Sequence, residues 1–276
     1  MPRLLVPPFT FKGRSVTVNR QLKARQMKNP YKDFPSNLTE LHSEELGLRK
    51  QALEILNAEQ RLILHLNAIE RAMSVAKIVV GYSQEDEDFK VIKMLSIRIF
   101  NAFGASLMLA FSGYHQKSAM VLRDTLETVF LLGLFKRDRG AIERWRYADR
   151  KTMKREFSPA AVRKFLDDTD GLSSRKREET YKMFCELAAH PNMHSQHMLR
   201  PEKGGDIVMG PFMEATTIEA GISEMGKLAV QAGEVMSALL PPAWDQDGVR
   251  SSFNQIKVYW IKEFYPHVYN NFATKI

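Results

Sequence analysis

The chain has 276 residues, with 40 Lys+Arg against 32 Asp+Glu, a formal net charge of +8 and a pI near 9.5. That length builds a core without disulfide or metal staples, and a hydrophobic content of 44% excludes general disorder. One cysteine, Cys185, excludes a disulfide framework and a four-cysteine zinc site and fits a reducing compartment. The charge is not spread evenly. Residues 1–34 hold eight basic residues against Asp33 alone, which is +7, and leave +1 for residues 35–276.

Residues 1–35 have no helical periodicity and read as a basic N-terminal arm, partly disordered. Phe9-Thr10-Phe11 and Val16-Thr17-Val18 flank a Lys12-Gly13 turn signal, a weak hairpin pattern. Arg14, Arg20, Lys23 and Arg25 make this arm a candidate nucleic-acid contact, and a solvated tail is the competing reading. Pro35-Ser36 opens the second unit, residues 36–276, a single helical domain.

From Thr39 to about Val80 apolar residues recur at threes and fours, predicting one long amphipathic helix with a break at Gly47. Ser83 and Asp86 resemble a capping box, and the acidic run Glu85–Asp88 suits a helix N-terminus. A second helix runs from there to Ser112 and Gly113. The longest uncharged stretch, Ile99–Gln116, contains several polar residues and reads as a buried helix with its exit, not a membrane span. A third helix, about Tyr114–Phe135, is nearly all apolar after Thr128 and is expected to be central. A basic helix follows over Arg139–Arg155. Ser158-Pro159 starts the next, ending near Leu166. Further helices are predicted from Ser173 or Ser174 to Ala189, over Ala215–Leu240, and over Val249–Phe272. Gly204-Gly205, within residues 197–212, signals a small β-hairpin. The expected fold is all-α, a bundle of seven to eight helices.

Arg123 and Glu127 stand four residues apart in the apolar third helix, so their side chains are neighbours. A buried ion pair costs several kcal/mol per ion before attraction is counted. Such a pair either fixes a unique packing or serves as a site, and both readings stay open. Glu186, His190, His194 and His197 fall within twelve residues, but Pro191 separates them, so no metal site is expected and His194 and His197 are only weak candidates. His190 at a helix C-terminus favours its cation, which suits a phosphate or carboxylate partner. Cys185 beside Phe184 and Leu187 reads as an inert buried thiol. Residues 136–155 carry nine basic and three acidic residues, and Arg144, Arg146, Arg150 and Lys154 are the candidate phosphate contacts, with Trp145 and Tyr147 as stacking surfaces. A solvated helix face is the alternative. No phosphate-binding glycine loop and no nucleophile elbow is present.

Tyr114-His115-Gln116-Lys117-Ser118-Ala119 with Leu122-Arg123 and Leu126-Glu127 resembles the central helix of a group of uncharacterised bacterial helical proteins. The segment Tyr181–Pro191 and the Gly210-Pro211 pair before a late helix match the same group, over roughly residues 90–240. That group is similar to the HEPN superfamily, helical bundles that often dimerise and many of which are ribonucleases in toxin–antitoxin or phage-defence systems. Active members carry an arginine and a histidine on one helix with four to six residues between them. Here Met183, Phe184 and Cys185 occupy those positions before His190, and Arg61 precedes His65 with only three residues between. The resemblance therefore implies a cytoplasmic, HEPN-like protein that binds RNA or a nucleotide as a homo-oligomer, in defence or stress, with no cofactor and no membrane. The alternatives are a ribonuclease assembling Arg123, Glu127 and His190, with Arg123 holding phosphate and His190 moving a proton, and a structural protein–protein interaction module.

Overall fold

The computed structural model describes residues 34–83, 86–171, 176–189, 192–201 and 205–273. The described residues are all-α, with eleven α-helices and no strand. The first helical stretch divides into α1 (Ser36–Ala58) and α2 (Gln60–Gly81). The break falls at Glu59, whose extended backbone begins α2 and whose carboxylate accepts the Arg61 N–H. It does not fall at Gly47, which continues α1. A helix tolerates one exposed glycine for roughly 1 kcal/mol.

Four long helices form the centre: α2, α3 (Glu87–Phe111), α4 (His115–Arg137) and α9 (Ala215–Leu239). Asp86 caps α3 and accepts the Asp88 N–H, so the expected capping box starts three residues later than Ser83. α2 presents Ala68, Ala72, Val75, Ala76 and Val79, and α9 presents Gly226, Ala229, Ala232 and Gly233, all buried. Small side chains on both helices allow close approach of their backbones. A Cβ at Gly226 would meet His65 Nδ1 at 2.3 Å, and one at Gly233 would meet the Phe253 ring at 2.2 Å. α9 thus carries the notches that seat α2 on one side and α10 (Val249–Phe264) on the other. Pro266 divides the predicted last helix into α10 and α11 (Pro266–Ala273).

The predicted basic helix is two short ones, α5 (Gly140–Arg146) and α6 (Arg150–Glu156), with Asp149 capping α6. Ser158 caps α7 (Pro159–Asp170) as expected, and α7 runs past Leu166 to Gly171, which closes it in the left-handed conformation. α8 (Lys176–Phe184) passes into a π-turn, Cys185–Ala189. The turn of the predicted hairpin, Glu202–Gly204, lies outside the described residues; among the described ones no strand forms there, and the Val208 N–H bonds the Leu199 C=O after a 3₁₀ turn over Met193–Leu199. The loop before α9 docks on the start of α4, where Gly113 has φ +84° and a Cβ would strike Phe212 O at 2.6 Å. The His115 ring hydrogen-bonds that same carbonyl. Among the described residues α3 alone has the length and composition of a membrane span. It buries Ile92, Leu95, Ile99 and Phe103 in the bundle and turns Met94, Ile97 and Met108 outward.

The notch at Gly226 is testable. Gly226→Ala should cost about 1–3 kcal/mol of stability by overpacking against His65. Gly221→Ala, on the same helix with open space at its Cβ, should gain about 0.5–1 kcal/mol. Urea unfolding of both variants checks the pair, and equal effects would refute the notch.

Candidate functional site

α4 delivers Arg123 and Glu127 to the edge of the core. Leu122 and Leu126 beside them are 1–2% exposed, whereas the two charged side chains are 26% and 27% exposed. The pair is therefore half-buried at a rim, not enclosed. Arg123 Nη2 lies 2.8 Å from Glu127 Oε1. That contact is a charge pair without a directed N–H, because Oε1 is buried and accepts no hydrogen bond.

α8 and the π-turn complete the cluster. Arg123 Nη2 donates to the Tyr181 hydroxyl at 2.5 Å, and Arg123 Nε donates to Cys185 Sγ at 3.3 Å. Burial works against the Arg123 charge, but Tyr181, Cys185 and Glu127 outweigh it, and its pKa lies above the ordinary arginine value. Burial raises the Tyr181 pKa; the Arg123 hydrogen bond opposes this and Glu127 adds to it. Tyr181 is thus a neutral phenol at pH 7. Arg163 of α7 lies over the ring with Cζ 4.0 Å from its centroid, and Arg123 Cζ stands 5.1 Å from the same centroid. Nη1 of Arg163 is buried and, among the described residues, has no acceptor. α7, α8 and α4 are held together by Asp170, which takes Arg137 in a bidentate pair and also Arg177, while Arg177 reaches Asp167 as well. A cavity of about 490 Å³ lies on the other side of Glu127, lined by Met94, Leu131, Trp145 and Phe157 among others.

The other predicted residues fare differently. His190 lies outside the described residues, as do Arg14, Arg20, Lys23 and Arg25. Cys185 is half-buried and accepts the Arg123 Nε–H, so it is not enclosed in the core. Arg144 is taken by Asp138 and Glu156, and Arg146 by Asp88 and Glu87. These two are neutralised within the chain and do not form a free phosphate patch. Arg150 and Lys154 are exposed on α6. Trp145 packs edge-on against Phe135, while Tyr147 is 73% exposed with Arg146 over its ring. His194 and His197 are exposed on the 3₁₀ turn. Among the described residues no three His, Cys, Asp or Glu side chains gather as metal ligands.

Two features went unseen in the sequence. Arg163 sits between the buried Val162 and Leu166, at the edge of an apolar stripe, and that position was the available signal. His65 is 3% exposed and accepts the Trp260 indole N–H at Nδ1, 3.0 Å away, with Phe264 stacked on its face. An indole can only donate, so the proton of the neutral imidazole is on Nε2. Burial, then the charges of Lys227 and Arg61, hold its pKa down to about 4. These groups and Glu219 line a second cavity, of about 420 Å³. Comparison with known protein families, with curated proteins and with solved structures gives no match.

Two outcomes follow. Arg123→Ala strands Glu127 without its counter-charge and should cost about 2 kcal/mol, between the exposed and fully buried cases. The Arg123→Ala/Glu127→Ala double variant should cost less than the two single changes together, by about 1 kcal/mol in a thermodynamic cycle; additive costs would mean the pair is not coupled. The neutral His65 stabilises the fold fully above the ordinary histidine pKa of 6.5, and this is lost as pH falls toward about 4. Buried His115, also held below its ordinary value by burial, acts in the same direction. Stability by urea unfolding should fall by about 2 kcal/mol between pH 7 and pH 5 on account of His65, and His65→Gln should flatten that slope.

Proposed function

We propose that this chain is a HEPN-like helical protein that holds a phosphate of RNA or of a nucleotide at the Arg123–Arg163–Tyr181 cluster. The observation that carries this reading is the buried Arg163 Nη1 without an acceptor. A buried donor left unpaired costs roughly 1–3 kcal/mol, and an anionic oxygen would satisfy it. Arg123, half-exposed beside it, adds a second guanidinium, and guanidinium is the side chain best matched to a phosphate. Exposed Arg150 and Lys154, which among the described residues form no ion pair, extend the attraction for a polyanion.

The ribonuclease reading draws on one further contact. Cys185, which Arg123 holds, lies five residues before His190 in the sequence. His190 would then move the proton while Arg123 stabilises the phosphate.

Fluorescence anisotropy with a labelled single-stranded RNA and with a mononucleotide as competitor tests the binding reading. Arg163→Gln should weaken RNA binding about tenfold at fixed salt, with the thermal unfolding curve close to wild type. Unchanged affinity would sink the reading. Cleavage of the same RNA by wild type and not by His190→Ala would establish the enzyme reading; intact RNA in both would leave binding alone.

A further inference from the structure

Along one side of the bundle, among the described residues, apolar side chains are exposed. α3 and α4 run antiparallel there, and Met94, Ile97 and Met108 on α3 with Met120 on α4 are 37–54% exposed. Met94, Ile97, Asn101, Gly104 and Met108 are spaced three, four, three and four residues apart. That is the spacing of a seam between two packed helices, and it recurs here at exposed or half-buried positions from Ile97 to Met108, while Met94 at its end also lines the cavity shared with Trp145 and Phe157. A Cβ at Gly104 would meet nothing within 4 Å, so the middle of the seam is a shallow notch with Asn101 beside it.

The neighbouring face of α4 continues the pattern. Lys117, Met120, Val121 and Asp124 line up along it at helical spacing. Arg98 of α3 reaches Asp124 at 2.5 Å, and Ser106 reaches Ser118 at 2.7 Å. These two contacts fix the relative level of the helices. The midpoint between Asn101 and Gly104 on α3 lies level with Met120–Val121 on α4. A two-fold axis at that level, relating two copies laid antiparallel, sets Ile97 against Met108 of the second copy and Asn101 against Gly104 of the second copy. The same axis sets Lys117 against Asp124 of the second copy. Among the described residues Lys117 has no carboxylate of its own, only the Met120 sulfur at 3.6 Å. The patch is therefore complementary to itself in shape and in charge, as a contact between identical surfaces must be.

We propose that the α3–α4 face is the contact between two copies of this chain, packed antiparallel about a two-fold axis at the level of Asn101 and Gly104. Other occupants fit less well. Residues 1–34 carry +7 and would meet Lys117 and Arg98 on the patch. A bilayer would have to accept Asn101, Arg98 and Asp124 in the middle of the face. Neither has the two-fold match.

Sedimentation velocity of the full chain over a concentration series is the test. Wild type should be a dimer. Ile97→Glu acts twice in each dimer and should raise the dissociation constant at least about a hundredfold, while the far-ultraviolet circular dichroism spectrum stays that of wild type because Ile97 is 45% exposed within one chain. Lys117→Asp and Asp124→Lys should each weaken the dimer about tenfold, and the two together should restore most of it. A wild type that is monomeric at ~100 μM, or a dimer unmoved by Ile97→Glu, would overturn the proposal. So would a monomer that floats with vesicles until Ile97 is changed, which assigns the face to a bilayer. A monomer that dimerises once residues 1–34 are removed would assign it to the arm.

Discussion

The architecture depends on how closely α9 approaches its neighbours. Gly226 and Gly233 are the two points where a single methyl group would collide with a buried ring, His65 on one side and Phe253 on the other. Because α9 has no side chain at these places, α2 can bring an imidazole against its backbone and α10 can bring a phenyl ring. The indole of Trp260 then closes over His65 from α10. Three helices are thereby locked through one histidine that must stay neutral, since a second N–H would face an indole that can only donate. Packing and proton state are the same constraint at this point. The cost of burying a polar ring is offset by giving it one well-placed hydrogen bond and no charge.

With α2, α9 and α10 fixed, α4 has a defined surface left for chemistry. Its partners there are α7 and α8, which bury Val162, Leu166 and Phe184 in the common core and are tied to α4 at the rim by the Arg137–Asp170–Arg177 network. A polar tie suits this location. It sets the Tyr181 ring between two guanidiniums, one hydrogen-bonded and one stacked, and it leaves room for polar atoms that the chain itself does not satisfy. The π-turn after Phe184 belongs to the same arrangement, because the extra residue in that turn follows directly on the helix that carries Tyr181 and begins at Cys185. Turns of this kind recur at functional sites for the reason visible here: they shift the side chains that follow by part of a turn without ending the helix.

Local signals were legible in the sequence and long-range ones were not. Ser158-Pro159 announced α7, the acidic run announced α3, and the i, i+4 spacing announced the Arg123–Glu127 pair. Each of these needs only neighbours along the chain. The division of the basic stretch into α5 and α6 was missed because the cap that makes it, Asp149 on the Thr152 N–H, reads in sequence as one more charge on a helix face. The neutralisation of Arg144 and Arg146 was missed for a different reason. Their acidic partners Asp138, Glu156, Glu87 and Asp88 are brought near by folding, the last two from nearly sixty residues away. Counting charges along a segment therefore overstated the cationic surface. The stacking of Arg163 on Tyr181, and His65 on Trp260 across 195 residues, lay beyond any periodicity argument.

The angular arithmetic of α4 explains why the candidate site is half-buried when the sequence suggested a central position. At about 100° per residue, the buried positions Leu122, Leu126, Val129 and Gly133 cluster along one line of the helix. Arg123 and Glu127 fall roughly 100° round from that line, at its margin. Lys117, Val121 and Asp124 fall on the far side. One helix thus carries three stripes in sequence around its axis: an apolar stripe for the core, a charged pair at the rim where α8 docks, and an outward stripe that alternates cation, apolar and anion. A pair placed in the first stripe would be a packing device with no access for a ligand. In the third it would face outward, away from α8 and the Tyr181 ring. Only the middle position combines partial desolvation, which strengthens its electrostatics, with an edge that a ligand can reach.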